Sequence, residues 1–215
     1  VAEIYLEEVQ RERPRGPLIL AGFSFGALAA FELAVLLERQ GREVPLIISF
    51  DGFAPGYPRV LPWPARLKAH AIELANLSGA ERTEYLAARL VNLRSRVRHL
   101  VGRTADEHDD VPFADTHMNE RLKNSWANHM QARRRYRTTA VSSASVLLIR
   151  AEIPERWAAT TMLDPLYGWQ DRVRGPVHTV TAPGNHLSVM TLQNQELIVN
   201  AITQRVDEWL KTRGV

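Results

Sequence analysis

The 215-residue chain contains no cysteine, which excludes disulfides, thiolate nucleophiles and thiolate metal ligands. No apolar run reaches the ~20 residues that a membrane-spanning helix needs. Lysine is scarce: Lys68, Lys123 and Lys211 are the only lysines among 27 basic residues, and arginine makes up the rest. Neither sign of charge dominates, since 24 acidic residues leave a net charge of +3. The basic residues are scattered apart from Arg133, Arg134 and Arg135. No aromatic interleaving or nucleic-acid motif accompanies that run, so it reads as a solvated helix face and no nucleic-acid partner is expected. No spacing of metal ligands is visible, and no metal is expected. The first residues, 1–8, do not form a secretory signal. With no span either, the expected compartment is the cytoplasm. The chain begins at Val1 without an initiator methionine and is expected to be a piece of a longer protein.

What is present centres on residues 18–34. A short apolar run leads into Gly22-Phe23-Ser24-Phe25-Gly26, and an Ala- and Leu-rich helical run follows. Gly-x-Ser-x-Gly between a strand and a helix is the pattern of a nucleophile elbow, in which a strained turn lifts a serine hydroxyl clear of a sheet. The five-residue pattern alone is weak. Its place after an apolar strand and before an Ala/Leu helix sharpens it. Close approach of strand and helix predicts that Gly22 and Gly26 are both needed for lack of a side chain. The alternative is a tight strand-to-helix turn with no catalysis.

Around this stretch the pattern predicts an amphipathic helix over 1–13, with Val1, Ile4, Tyr5 and Val9 inward. It predicts a strand at 18–21, a helix over 26–40 ended by Gly41, and buried strands at 44–50 and 146–151. A fourth strand is expected at 177–181 and a last helix over 193–212, with Leu197, Ile198, Ala201, Ile202, Val206 and Leu210 inward. Residues 54–64 read as a linker or a loop over a site, and 152–168 as irregular. Alternating strands and helices argue an α/β fold with a mostly parallel sheet flanked by helices. An insert over about 59–116 interrupts the alternation. It reads as two helices and an acidic loop, with Ser78 and Glu81 forming a capping box for the second helix. Leu86, Leu90, Leu93, Val97, Leu100 and Val101 would form that helix's apolar stripe, with Arg89, Arg96, Arg98 and Arg103 away from it. A third helix is expected over 118–137. An insert at the C-terminal edge of the strands would serve as a lid.

A serine hydroxyl needs a base, and the base needs an orienting acid. Asp51 closes the strand after the elbow helix, and His186 follows the last strand in a Gly-Asn-His turn. In a parallel sheet these positions share one edge with Ser24, and Ser, Asp, His is the chain order of α/β-hydrolases. His70, His99, His108, His117, His129 and His178 sit in segments less suited to a base. Glu152, at the end of the third strand, is the rival acid, with Asp164 and Asp171 behind it. Asp51 before Gly52 is otherwise an ordinary turn pair.

These residues resemble a family. The elbow with its helix, Phe50-Asp51-Gly52, Gly168-Trp169 and Pro183-Gly184-Asn185-His186 are similar to the thioesterase domains that end polyketide synthases and nonribosomal peptide synthetases. The resemblance runs from about residue 1 to 212 and is diffuse in the lid. It implies one α/β-hydrolase domain over 1–215. It implies a catalytic Ser24, Asp51 and His186, with the backbone N–H of Phe25 as an oxyanion donor. It implies an acyl or peptidyl chain delivered on the phosphopantetheine of a carrier protein, with no cofactor of the enzyme's own, and release by hydrolysis or macrocyclisation through an acyl-serine. Phe23, Leu61, Trp63, Leu67 and Leu74 are the expected substrate-binding residues; ordinary helix packing is the alternative for the last four. Arg89, Arg96 and Arg98 are a candidate docking face for an acidic carrier. Against this pattern, N-terminal strands that would carry a second oxyanion donor are expected to be missing, on the order of 60 residues. Stand-alone editing thioesterases, general carboxylesterases and a non-catalytic binding relative remain the competing readings.

Overall fold

In the computed structural model the chain runs α1 (Ala2–Glu12), β1 (Ile19–Phe23), α2 (Phe25–Arg39), β2 (Leu46–Phe50), β3 (Arg59–Val60), α3 (Trp63–Asn76), β4 (Ser145–Ala151), β5 (Thr161–Met162), β6 (Val177–Ala182) and α4 (Gln195–Thr212). The structure describes residues 1–83, 85–87, 90, 128–129, 131–132, 136–153, 161–162 and 164–214. It divides into two compact units, Val1–Val60 with Arg137–Val215, and Leu61–Tyr136.

The first unit is built on a four-stranded parallel sheet in the order β1-β2-β4-β6. The apolar runs of β2 and β4 take its centre, where both faces are covered: all of β2 is buried, as is nearly all of β4. Alternate side chains go to opposite faces, with the period of two that a strand imposes. Ile47, Val146 and Leu148 pack in one cluster with Phe31, Ala34 and Leu37 of α2. Leu46, Ile48, Phe50, Leu147 and Ile149 pack in another, joined by Ile198, Ala201 and Ile202 of α4. Helices thus cover both faces, and the α/β expectation holds.

The register aligns the strands' C-terminal ends. Phe23 pairs with Phe50, Phe50 with Ile149, and Ala151 with Ala182. The residues that follow β1, β2 and β6 therefore leave the sheet at one edge.

Several sequence expectations are corrected in detail. Helix α1 buries Ala2 and packs Leu6 and Val9 on the core, while Val1, Ile4 and Tyr5 point to solvent. Val9 packs inward as expected, while Ala2 and Leu6 take the places expected of Val1, Ile4 and Tyr5. Strand β1 ends the sheet among the described residues, and Ile19 and Phe23 are 38% and 37% exposed. In α4, Leu197 is exposed where burial was expected. Residues 54–58 are not a linker. Ala54 is buried, and the loop is tied to residues 167–172 through Ala54 N–H on the Tyr167 carbonyl (3.0 Å) and Arg172 Nε on the Pro55 carbonyl (3.0 Å). Within 152–168, β5 forms a short antiparallel ribbon with β3.

The second unit spans Leu61–Tyr136. Its helix α3 buries no residue; Trp63 and Leu67 are exposed, and Leu61 and Leu74 are half-buried. Of the expected capping box the structure shows the return arm, Ser78 N–H donating to Glu81 Oε2 at 2.9 Å, and the Ser78 hydroxyl donates to the same oxygen at 2.7 Å. Arg89, Arg96, Arg98 and Arg103, the stripe at Leu93, Val97, Leu100 and Val101, the acidic loop, the run Arg133–Arg135 and most of the third expected helix lie outside the described residues. Among the described residues no helix is long and apolar enough to cross a membrane.

Candidate active site

The elbow forms as its sequence requires. Ser24 stands between β1 and α2 with φ 53° and ψ −114°. Its N–H extends the β1–β2 ladder by donating to the Phe50 carbonyl at 2.9 Å. Gly22 has no room for a side chain: a Cβ there would lie 2.1 Å from the backbone of Gly26. The expectation for Gly26 is corrected. A Cβ on Gly26 would meet nothing within 4 Å, so the close approach is made by its backbone and does not need its missing side chain. Phe25 opens helix α2, where backbone N–H groups and the helix dipole favour negative charge.

Asp51 also has a positive φ, 48°. The turn behind it is fixed by Gly52, whose Cβ would lie 2.4 Å from Ala27 Cβ and 2.7 Å from the Ser24 carbonyl oxygen. The Gly52 carbonyl accepts from Ser49 Oγ and from the indole Nε1 of fully buried Trp169, each at 2.9 Å. These contacts seat the acid's turn directly on the elbow. The carboxylate of Asp51 is buried and fully used. Oδ1 accepts from Ala151 N–H at 2.9 Å and from the Tyr167 hydroxyl at 3.3 Å, and Oδ2 pairs with His186 Nδ1 at 2.7 Å. A carboxylate can only accept, so Nδ1 carries the proton and Nε2 of the neutral imidazole is left as a base.

His186 rides on a loop held at both ends. Ile153 N–H donates to the Gly184 carbonyl at 2.9 Å. Gly184 has φ 98°, and a Cβ there would lie 2.2 Å from Ser188 Oγ. Asn194, 2% exposed, sends its amide to the carbonyls of Pro183, Ser188 and Val189 at 3.0, 3.3 and 3.1 Å. The ring of Phe23, the residue before Ser24, stacks on the His186 ring.

The structure therefore brings Asp51 and His186 together at the edge where Ser24 stands. It does not bring in the rival acids. Glu152 is exposed, Asp164 caps its own turn through the N–H groups of Leu166 and Gly168, and Asp171 takes Tyr57 Oη and Arg59. Among the other histidines, His178 lies against Arg205 and His70 against Tyr85 Oη. Burial, and then Arg205, lower the pKa of His178. His99, His108 and His117 lie outside the described residues. Leu61, Trp63, Leu67 and Leu74 belong to the second unit. Sequence reasoning missed Tyr167, Ala151 N–H and Asn194. Only the buried position of a polar Asn just before an amphipathic helix could have signalled the last. Among the described residues no cluster of three or more His, Asp or Glu is placed to hold a metal.

Comparison with known proteins agrees with this architecture. The profile of the family described as "Thioesterase domain" matches residues 1–206. The nonribosomal peptide synthetase pngA of Aspergillus terreus is 23% identical over 95% of this chain and 23% of its own length. The non-reducing polyketide synthase crz7 of Cladonia metacorallifera is 26% identical over 97% of this chain and 10% of its own. The chain thus spans a quarter or less of the curated relatives it matches. Among solved structures, SrfTE, the thioesterase domain that cyclises the lipopeptide antibiotic surfactin, superposes with a TM-score of 0.51 at 23% identity, covering 97% of this chain and 74% of that one. The type II thioesterase BorB of the borrelidin cluster gives 0.54 at 21% identity over 95% and 68%. These likenesses establish the α/β-hydrolase fold of the thioesterases.

Proposed function

The chain belongs to the thioesterase domain family, and on that premise we propose that it releases an acyl or peptidyl chain from a carrier protein through an acyl-Ser24 intermediate. One observation carries the reading: His186 Nδ1 sits 2.7 Å from buried Asp51 Oδ2, on the edge where Ser24 stands in a strained elbow.

In this reading His186 Nε2 takes the proton of Ser24 Oγ as the oxygen attacks the thioester carbonyl. The tetrahedral oxyanion is met by the Phe25 N–H at the start of α2. The C–S bond breaks, His186 gives its proton to the leaving thiolate, and an ester on Ser24 remains. Water, or a hydroxyl or amine of the acyl chain itself, then attacks with His186 again as base. Asp51 holds the imidazole in the tautomer that leaves Nε2 unprotonated and stabilises its charged form. The thioester arrives on the phosphopantetheine of an acyl or peptidyl carrier domain, and no cofactor of the enzyme's own is needed.

The test is mass spectrometry after incubation with an acyl thioester. Wild type is expected to gain one acyl group on Ser24, and Ser24→Ala none. An adduct of equal yield in the variant assigns the nucleophile elsewhere. Turnover of carrier-bound thioesters well above that of soluble esters separates chain release from a general esterase.

A further inference from the structure

Among the described residues, three that are not glycine have a left-handed φ: Ser24 at 53°, Asp51 at 48° and Tyr167 at 52°. The first two are the nucleophile and acid of the proposed triad. The third has had no role. For a bulky aromatic this backbone region is a true outlier, and such strain persists only where the surroundings over-determine it, most often beside a functional site.

The surroundings of Tyr167 do so. Its N–H donates to the Asp164 carbonyl at 2.9 Å and its own carbonyl accepts from Ala54 N–H at 3.0 Å. Its buried ring stacks on Phe53, with centroids 4.2 Å apart and planes 14° from parallel. Gly168 beyond it has φ 79° and lies so close to Tyr57 that a Cβ would sit 2.0 Å from that ring. The strained residue is thus clamped on both sides, and its hydroxyl ends 3.3 Å from Asp51 Oδ1.

We infer that Tyr167 is a positioning residue for Asp51, its hydroxyl holding the plane of the carboxylate so that one oxygen stays aimed at His186. The inference rests on Asp51 being the acid of the triad. The two oxygens of a carboxylate are equivalent, but rotation about its one free bond turns both out of line with the imidazole. The Ala151 N–H reaches Oδ1 from the neighbouring strand, and the Tyr167 hydroxyl reaches the same oxygen from the 164–172 loop. Two donors on Oδ1 leave Oδ2 for the imidazole and resist rotation of the group when His186 charges.

The experiment measures the rate of Ser24 labelling by a small fluorophosphonate in wild type, Tyr167→Phe, Asp51→Asn and the double variant. It adds kcat and KM for an acyl thioester and the Tm of each protein. Tyr167→Phe keeps the ring, the stacking and the backbone, and loses one hydrogen bond to a charged group. It is expected to label about tenfold more slowly, with kcat reduced in step, KM within about twofold and Tm lowered by no more than a few degrees. On the Asp51→Asn background the same change is expected to have less than about a twofold effect, because the hydroxyl acts through the carboxylate. Equal losses on both backgrounds, or labelling of Tyr167→Phe at the wild-type rate, overturn the inference while leaving the triad standing. A wild type that does not label at Ser24 removes the triad reading and this inference with it.

Discussion

The phenyl ring of Phe23 lies against the imidazole of His186, with centroids 4.8 Å apart and planes 25° from parallel. Phe23 is the chain neighbour of Ser24, so the ring links the elbow to the base. The Asp51 hydrogen bond fixes one atom of the imidazole, and a stacked ring fixes its plane. The resemblance implies a substrate-binding role for Phe23; its stacking adds a second, as a wall behind the His186 imidazole. An aromatic pair of this kind contributes about 0.5–1.5 kcal/mol beyond area burial, or roughly 2- to 12-fold in rate at 1.4 kcal/mol per factor of ten. Phe23→Leu is expected to lower kcat by that amount for short and long acyl thioesters alike, and Phe23→Tyr to restore most of it. A rise in KM that grows with acyl length, at constant kcat, would instead make Phe23 part of the acyl pocket.

The elbow, the sheet and the pairing of Asp51 with His186 were legible in sequence because each rests on local pattern. The apolar runs at 44–50 and 146–151 read as strands, Gly22 marks close backbone approach, and strand ends in a parallel sheet must share an edge. What was not legible depends on contacts between distant loops. Tyr167 and Trp169 reach the Asp51 turn across more than a hundred residues, and Asn194 holds the His186 loop from the start of α4. The face of α1 was misread because Ile4 and Tyr5 are large and apolar, yet packing on α2 favours the small Ala2.

The two glycines of the elbow are expected to respond with opposite sign. Gly22→Ala drives a Cβ into the backbone of Gly26 and Ala27, which cannot rotate away. The loss should reach or exceed the ~1–3 kcal/mol of an overpacked core, with activity lost as α2 shifts. Gly26 lies in α2 with open space at its Cβ position. Gly26→Ala should therefore raise stability by about 0.5–1 kcal/mol through the helix preference for alanine. Thermal unfolding of both variants checks this, and destabilisation by Gly26→Ala would refute it.

Asp51→Asn is expected to reduce turnover by about 10⁴, the loss such a replacement causes in a serine protease. The cause is visible in the contacts. The Ala151 N–H calls for an oxygen at the Oδ1 position, which puts the amide NH₂ of an Asn against His186 Nδ1. Two donors then face each other, and the imidazole must adopt the tautomer that protonates Nε2. Glu152→Gln, on an exposed side chain, should change turnover less than about twofold. Steady-state kinetics on a carrier-bound or small thioester decide the ranking; the reverse order would move the acid to the end of β4.

His178 gives the fold an acid-sensitive point outside the active site. It sits on β6 beneath α4, with Arg205 Nη1 2.9 Å from its Nδ1 and Glu208 paired to Arg205 Nη2 at 2.6 Å. Burial, then the Arg205 charge, lower its pKa from 6.5, and Glu208 opposes them weakly. A histidine whose folded value is depressed binds its proton more readily when unfolded. The stability it supports is full above pH 6.5, falls as pH drops below that value, and is lost by the time pH has fallen through the folded value. The Tm of wild type should therefore fall more steeply between about pH 6.5 and 5 than that of His178→Gln, which cannot take up a proton. The two should run parallel above pH 7, where His178 is neutral in both states. Parallel curves across the whole range would mean that another group sets the acid limit of this fold.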